Sequence, residues 1–257
     1  MLDLKQIESF YPDRMRPFKR NLLREYLQCK ILEAVFLSEF AERVAFMGGT
    51  AIHIVHANTR FSEDLDFDNL GLRREDFERL TKMVQKRLGL EGYEADIRNS
   101  FKEAYRSRIN IANVLYENGL SAHKEEMMSI HLDAEPQRFS YKPDKIILNK
   151  FEVFIRINVV PLDVLLSQKI FAIFKRKRPM GRDFYDAIFL FSKTKPSLTY
   201  LKEKLSIESP EELKRRLMER CESLDFKQLS KDVEHFLFNP ADAEKVLLFC
   251  DYIKQMK

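Results

Sequence analysis

Residues 43–69 read RVAFMGGTAIHIVHANTRFSEDLDFDN, and two parts of that stretch carry residue types that can do chemistry. Gly48 and Gly49 let a backbone come close to a bulky anion, and Thr50 with the N–H groups of a first helical turn can donate to phosphate oxygens. Asp64 and Asp66 lie in a segment, 63–68, that alternates polar and apolar residues. Their carboxylates therefore project from one face of a strand, with Leu65 and Phe67 on the other. Two carboxylates held side by side repel each other unless a cation sits between them, and hard oxygen donors favour Mg²⁺ or Mn²⁺ over zinc. A phosphate cradle feeding a metal-holding acid pair spells nucleotide chemistry, with Arg60 and Ser62 placed between the two parts to meet the nucleotide. Taken singly, a Gly-Gly pair is ordinary loop punctuation and a D-x-D is ordinary strand surface. Their joint occurrence in the order strand, turn, helix, strand carries the reading.

The elements that must position these residues are legible from periodicity. Residues 44–47 form a short apolar strand that stops at the two glycines, and Ile52, Ile54 and Val55 suit a helix opening at Thr50. Upstream, residues 2–40 look helical: after the Tyr11-Pro12-Asp13 turn, Leu22, Leu23, Tyr26, Leu27 and Ile31 recur at helical spacing. The basic residues interspersed there read as a solvated helix face. Residues 73–88 form an amphipathic helix, and strands are expected over 93–100, 107–112 and 127–134. In the last of these Ile130 and Leu132 face one way, His131 and Asp133 the other. Asp133 serves either as a third carboxylate of a two-metal arrangement or as a polar residue near a strand end, and pattern alone supports both readings equally. His131 reads as a surface histidine and not as a ligand.

Pro136 and Pro143 bracket a polar stretch, which sets a division between residues 1–140 and a mainly helical region, 141–257, that keeps one more strand at 153–159. Pro161 opens a helix that carries Lys169 and runs into Lys175-Arg176-Lys177-Arg178, the densest basic cluster of the chain. After Pro179-Met180-Gly181, a second helix starts with Arg182-Asp183-Phe184-Tyr185-Asp186, placing Asp183 and Asp186 three apart on one face. A lysine in an apolar helix either snorkels to solvent or points into a site, and the sequence by itself favours the first. Further amphipathic helices follow over 196–205, 210–224, 226–237 and 240–256.

Composition sets the outer bounds. A chain of 257 residues with 45% hydrophobic content can build a substantial core. Its 44 basic residues against 40 acidic ones leave a net charge of +4, so bulk charge does not by itself argue for a nucleic-acid partner. Three widely separated cysteines without C-x-x-C spacing argue against a disulfide framework and against a zinc site. The opening MLDLKQIESF has acidic residues and no long apolar core, and no run approaches a membrane span, so a cytoplasmic protein without a membrane partner is expected.

Two blocks of residues carry a family resemblance. Gly48-Gly49-Thr50-Ala51 followed by Arg60-Phe61-Ser62-Glu63-Asp64-Leu65-Asp66-Phe67 resembles the first signature of the AbiEii/AbiGii toxin family, minimal nucleotidyltransferases of abortive-infection and toxin-antitoxin systems. Lys169, then Arg178, Gly181-Arg182-Asp183 and Tyr185-Asp186, resembles its second: a helix lysine, a basic residue and R-D-x-Y-D. The likeness spans residues 22–191. It implies an α/β (α+β) fold with a polymerase-beta-like nucleotidyltransferase core, a small mixed sheet flanked by helices, plus a helical C-terminal half. It implies an NTP donor, a divalent cation, a cognate antitoxin, and transfer of a nucleoside monophosphate to an RNA hydroxyl such as a tRNA 3′ end. It also reverses the preference for Lys169, whose ammonium would hold the donor triphosphate while Asp183 or Asp186 orients Lys169 or Arg182. Two rival readings are a nucleotidyltransferase acting on a small molecule or a protein hydroxyl, and a module that binds nucleotide or RNA without turnover. The presence of both Asp64 and Asp66 argues against the second.

Overall fold

The structure is a computed structural model that describes residues 2–102 and 104–256. The chain forms two compact units: residues 1–51 with 62–160, and residues 52–61 with 161–257. The expected division at 140/141 therefore falls inside the first unit, and the chain leaves that unit briefly between Ala51 and Ser62.

The first unit begins with α1 (Leu4–Ser9) and α2 (Lys19–Phe36), then β1 (Val44–Met47), α3 (Gly48–Ile54), β2 (Leu65–Asn69) and α4 (Arg74–Leu90). It continues through β3 (Ala95–Phe101), β4 (Tyr105–Ile111), α5 (Val114–Glu117), β5 (Met128–Glu135), β6 (Asp144–Lys150) and β7 (Val153–Val159). Among the described residues the strands make one seven-stranded mixed sheet in the order β3-β4-β5-β2-β1-β7-β6. The pairs β2·β5 and β1·β7 are parallel, and the other neighbours are antiparallel. Central β1 is apolar along its length because it lies between two strands with side chains covered on both faces, and Val44, Ala45 and Phe46 are buried. In β2 the apolar residues alternate with aspartates, of which Asp68 is also buried. Leu65 and Phe67 are buried, and the Phe67 ring packs in tilted contacts at 5.6 Å from Phe46 and 6.1 Å from Phe36 of α2. Thus α2 covers the sheet face opposite Asp66.

Strand β6 is absent from the sequence reading, which took the polar stretch after Pro136 as a boundary. Among the described residues it is an edge strand paired with β7, so burial does not impose a clean alternation on it, and its polar Asp144, Lys145, Asn149 and Lys150 hide the hairpin. The helix after β1 also starts two residues earlier than expected. The glycines do not form a turn before α3; they are its first two residues.

The second unit contains α6 (Leu162–Lys175), α7 (Gly181–Phe191), α8 (Leu198–Leu205), α9 (Pro210–Glu222), α10 (Phe226–Glu234), α11 (Glu244–Leu247) and α12 (Phe249–Gln255). Pro161 and Met180 precede α6 and α7 at their N-caps, while Ser197, Ser209 and Asp225 cap α8, α9 and α10 through their side chains. The last expected helix is broken into a 3-10 turn and two short helices. Residues 52–61 join this unit through a short antiparallel exchange: Phe61 N–H donates to the Phe236 carbonyl (2.8 Å) and Phe238 N–H to the Thr59 carbonyl (3.2 Å). At the start of α7, a Cβ on Gly181 would overlap the Leu229 carbonyl of α10, so this glycine sets how closely the two helices approach. Among the described residues no helix is long and apolar enough to cross a membrane.

Candidate active site

In the first unit, the sheet register brings the acids together. Asp66 on β2 is the paired position of Asp133 on parallel β5, and Leu65 is the pair of Leu132. One residue earlier, the Asp64 carboxylate meets the neighbouring His131, whose Nδ1 stands 3.1 Å from Asp64 Oδ1. Arg106 of β4, paired with Asp133 across the next ladder, places Nε 3.2 Å from Asp133 Oδ2. The Asp133 carboxyl lies above its usual range. Burial raises it first and the Asp64 charge adds to that, while Arg106 and His131 pull the other way.

Gly48 is pressed against this group. Its φ of +76° is left-handed, and a Cβ there would lie 2.9 Å from Asp66 Cβ and Cγ. Only glycine allows β1 to pass straight into α3 with the Asp66 carboxylate alongside. Gly49 is buried in the next position. Thr50 is fully buried, and its hydroxyl donates to the Asp64 carbonyl. This corrects its expected role as a phosphate donor: the side chain ties α3 to the loop that precedes β2. That loop is held from α2 as well. Gln28 Nε2 donates to the carbonyls of Ser62 (3.1 Å) and Glu63 (2.9 Å), and Arg24 Nη1 reaches Glu63 Oε1 at 2.8 Å. Ser62 is thus held by its backbone at the edge of the acid group. Sequence reading missed Gln28, whose position on a helix gave no hint of a partner 34 residues away.

Among the described residues, no group of three or more His, Cys, Asp and Glu side chains is gathered closely enough to hold a metal ion. Asp64 is turned to His131 and Asp133 to Arg106. The donor chemistry nevertheless fits a hard divalent cation: the carboxylates are neighbours on paired strands, and the Asp64 charge already raises Asp133.

The second unit holds the other residues singled out from the sequence. Asp186 is fully buried and accepts two charge-assisted bonds from Arg60, Nε to Oδ1 and Nη2 to Oδ2, both 2.6 Å. Asn58 Nδ2 adds a third donor at 2.8 Å. Lys169 Nζ lies 2.9 Å from Asp186 Oδ2 and 3.2 Å from Asp183 Oδ1, with its side chain 12% exposed. Arg176 Nε stands 3.2 Å from Asp183 Oδ2. Asp183 and Asp186 therefore share the helix face that meets Lys169, as their spacing requires. Burial pushes the Asp186 carboxyl up, but Arg60 and Lys169 outweigh it and hold it below the usual range. Arg60, expected at the nucleotide, is instead 1% exposed and locked in this pair, a correction that burial explains: a guanidinium withdrawn from water needs a carboxylate to face it. Arg182 is half-buried, lies over the Phe236 ring at 5.6 Å and lines a cavity of about 320 Å³ with Arg178, His235 and Phe236.

The first unit thus carries a diglycine helix start beside the acids of a mixed sheet. The family model described as nucleotidyl transferase AbiEii toxin, type IV TA system, matches residues 30–245. The chain belongs to that family, and is a nucleotidyltransferase of a type IV toxin-antitoxin system. Among solved structures, JHP933 from Helicobacter pylori is similar at 17% identity and a TM-score of 0.54, with 91% of each chain covered. A second Helicobacter pylori chain, to which nucleotidyltransferase activity is ascribed, is similar at 18% identity and a TM-score of 0.56, with 90% of this chain and 93% of that one covered. These two likenesses bear on the fold. No curated protein matches the chain.

Proposed function

We propose that this chain transfers a nucleoside monophosphate from an NTP to a hydroxyl of RNA, such as a tRNA 3′ end, in a reaction that requires Mg²⁺ or Mn²⁺. The observation that carries the reading is the pairing of Asp66 with Asp133 on parallel strands, with Asp64 beside them and Gly48 against Asp66. Asp64, Asp66 and Asp133 would hold the cation, with Arg106 and His131 giving up their present partners. A divalent cation bound there supplies charge to the triphosphate and lowers the pKa of an attacking hydroxyl. The side-chain-free start of α3 leaves backbone donors for phosphate oxygens at Gly48 and Gly49. Thr50 and Gln28 keep Asp64 and its loop in register with that helix start.

Lys169 is proposed to lend positive charge to the leaving pyrophosphate, with Asp183 and Asp186 fixing its ammonium. Arg182, beside Phe236, is assigned to the nucleotide.

The test is incubation with each labelled NTP, Mg²⁺ and cellular RNA, with protein and small hydroxyl compounds as parallel acceptors. Wild type is expected to label RNA, and Asp66→Ala to lose labelling by at least about a hundredfold with an unchanged melting temperature. Retained transfer in a folded Asp66→Ala variant would remove the metal role, and labelling of only protein or small molecules would remove the RNA acceptor.

A further inference from the structure

We infer that the outer wing of the sheet, β5, β4 and β3, is the seat of a single-stranded RNA acceptor. Its phosphates lie on Arg98, Arg106 and Arg108, and its terminal hydroxyl reaches inward to the carboxylates of β2. The inference rests on the transfer proposed above and adds where the acceptor lies and why it is a polymer.

The sheet register lays out the track. Arg98 pairs with Arg108 and Arg108 with His131, the residue that meets Asp64. In the adjacent row Ser100 pairs with Arg106, Arg106 with Asp133, and Asp133 with Asp66. Paired positions face the same side of a sheet, so both rows run from the acids outward over one exposed face. On β4 the alternation is clear: Ser107 and Ile109 are buried, and Arg106 and Arg108 are exposed. Arg98 and Arg106 have side chains 79% and 65% exposed.

Each guanidinium is anchored through Nε, Arg98 to Asp96 (3.0 Å), Arg106 to Asp133 (3.2 Å) and Arg108 to Ser129 Oγ (2.9 Å). A cavity of 230 Å³ opens among Arg98, Arg106, Arg108, His131 and Asp133, and a second of 330 Å³ beside it is lined by Lys102, Arg106 and Glu135. On the face of these three strands the acids are Asp96, Asp133 and Glu135, against Arg98, Lys102, Arg106 and Arg108.

Spacing decides the ligand class. Neighbouring strands lie about 4.8 Å apart, which puts Arg108 of β4 roughly 10 Å and Arg98 of β3 roughly 14 Å from the aspartates of β2, while Arg106, which touches Asp133, stands at the inner end of the track. A triphosphate held at those aspartates has its charge spent there, and a small acceptor ends before the outer rows. A polynucleotide continues outward and presents successive phosphates to successive arginines, whose planar forks suit phosphate oxygens.

The experiment measures binding of a short labelled single-stranded RNA to the full chain by fluorescence anisotropy across a salt series, together with KM for NTP and for RNA. The Arg98→Gln/Arg108→Gln double variant is compared with wild type and with Lys175→Gln/Lys177→Gln/Arg178→Gln. The double variant is expected to bind about tenfold more weakly, with the slope of log affinity against log salt shallower by roughly 1.4, two contacts at about 0.7 each. Its KM for RNA should rise with KM for NTP and the melting temperature unchanged. Unaltered RNA affinity and slope overturn the inference, as does a raised KM for NTP with RNA binding intact, or a loss confined to the 175–178 variant. Labelling is scored in the same samples. RNA bound through the wing yet never labelled overturns the transfer reading and the acceptor role together, whereas RNA labelled equally without these arginines overturns the wing alone.

Discussion

Two glycine and arginine positions show how single residues hold the candidate sites. Gly48 combines a φ of +76° with a Cβ position already occupied by Asp66. Gly48→Ala is expected to destabilise the fold by about 1 to 2 kcal/mol, the cost of a left-handed non-glycine residue, and to push the Asp66 carboxylate aside. Urea unfolding reads the first effect, and a fall in kcat out of proportion to it reads the second. Arg60 faces Asp186 with both groups withdrawn from water. Arg60→Met leaves that carboxylate short of its main partner and should cost about 3 to 5 kcal/mol in denaturant unfolding, far more than an exposed pair. A loss under about 1 kcal/mol would show that Lys169 and Asn58 suffice for Asp186.

At the scale of elements, α3 and β2 are joined by one hydroxyl. Thr50→Val keeps the shape and removes the bond to the Asp64 carbonyl, which should cost about 1 kcal/mol and let the loop ahead of β2 drift. The expected signature is a kcat loss of several-fold with KM for NTP little changed; a wild-type kcat would reduce Thr50 to a packing residue. Much of this framework is legible from the sequence, because burial enforces an apolar run in β1, a strict alternation in β5 and an alternation over the first residues of β2 and β7. Edge strand β6 escaped because it lies at the end of the sheet and its polar residues resemble a loop. The residues 52–61 read as a continuation of the first unit because nothing local announces that Thr59 and Phe61 pair with Phe238 and Phe236.

For the whole molecule, the charge network of the second unit predicts a response to acid. The Asp186 carboxyl is depressed in the folded state relative to an unfolded value near about 3.9, so the stability it contributes is fully present above that value. That stability is lost as pH falls through the lower folded value. Wild type should therefore lose stability steeply below about pH 4, and a folded Asp186→Asn variant should start less stable at neutral pH and show a shallower acid limb in calorimetry. Removal of divalent cations with EDTA is expected to abolish transfer, and Mg²⁺ or Mn²⁺ to restore it. Full activity in EDTA would sink the carboxylate assignment.

What the sequence by itself determined are the features set by local chemistry and period: the apolar strand ending at Gly48, the alternation that buries Leu65 and Phe67 and leaves Asp66 on the other face, and the one helix face shared by Asp183 and Asp186. Those follow from bond geometry within a few residues, and the resemblance they carry led to the family. Only the tertiary structure decided that Asp133 stands opposite Asp66, that Thr50 turns inward, and that Arg60 meets Asp186 across 126 residues of chain. Strand register and the burial of a long side chain depend on which distant segments pack against them, and periodicity within one segment holds no record of that choice.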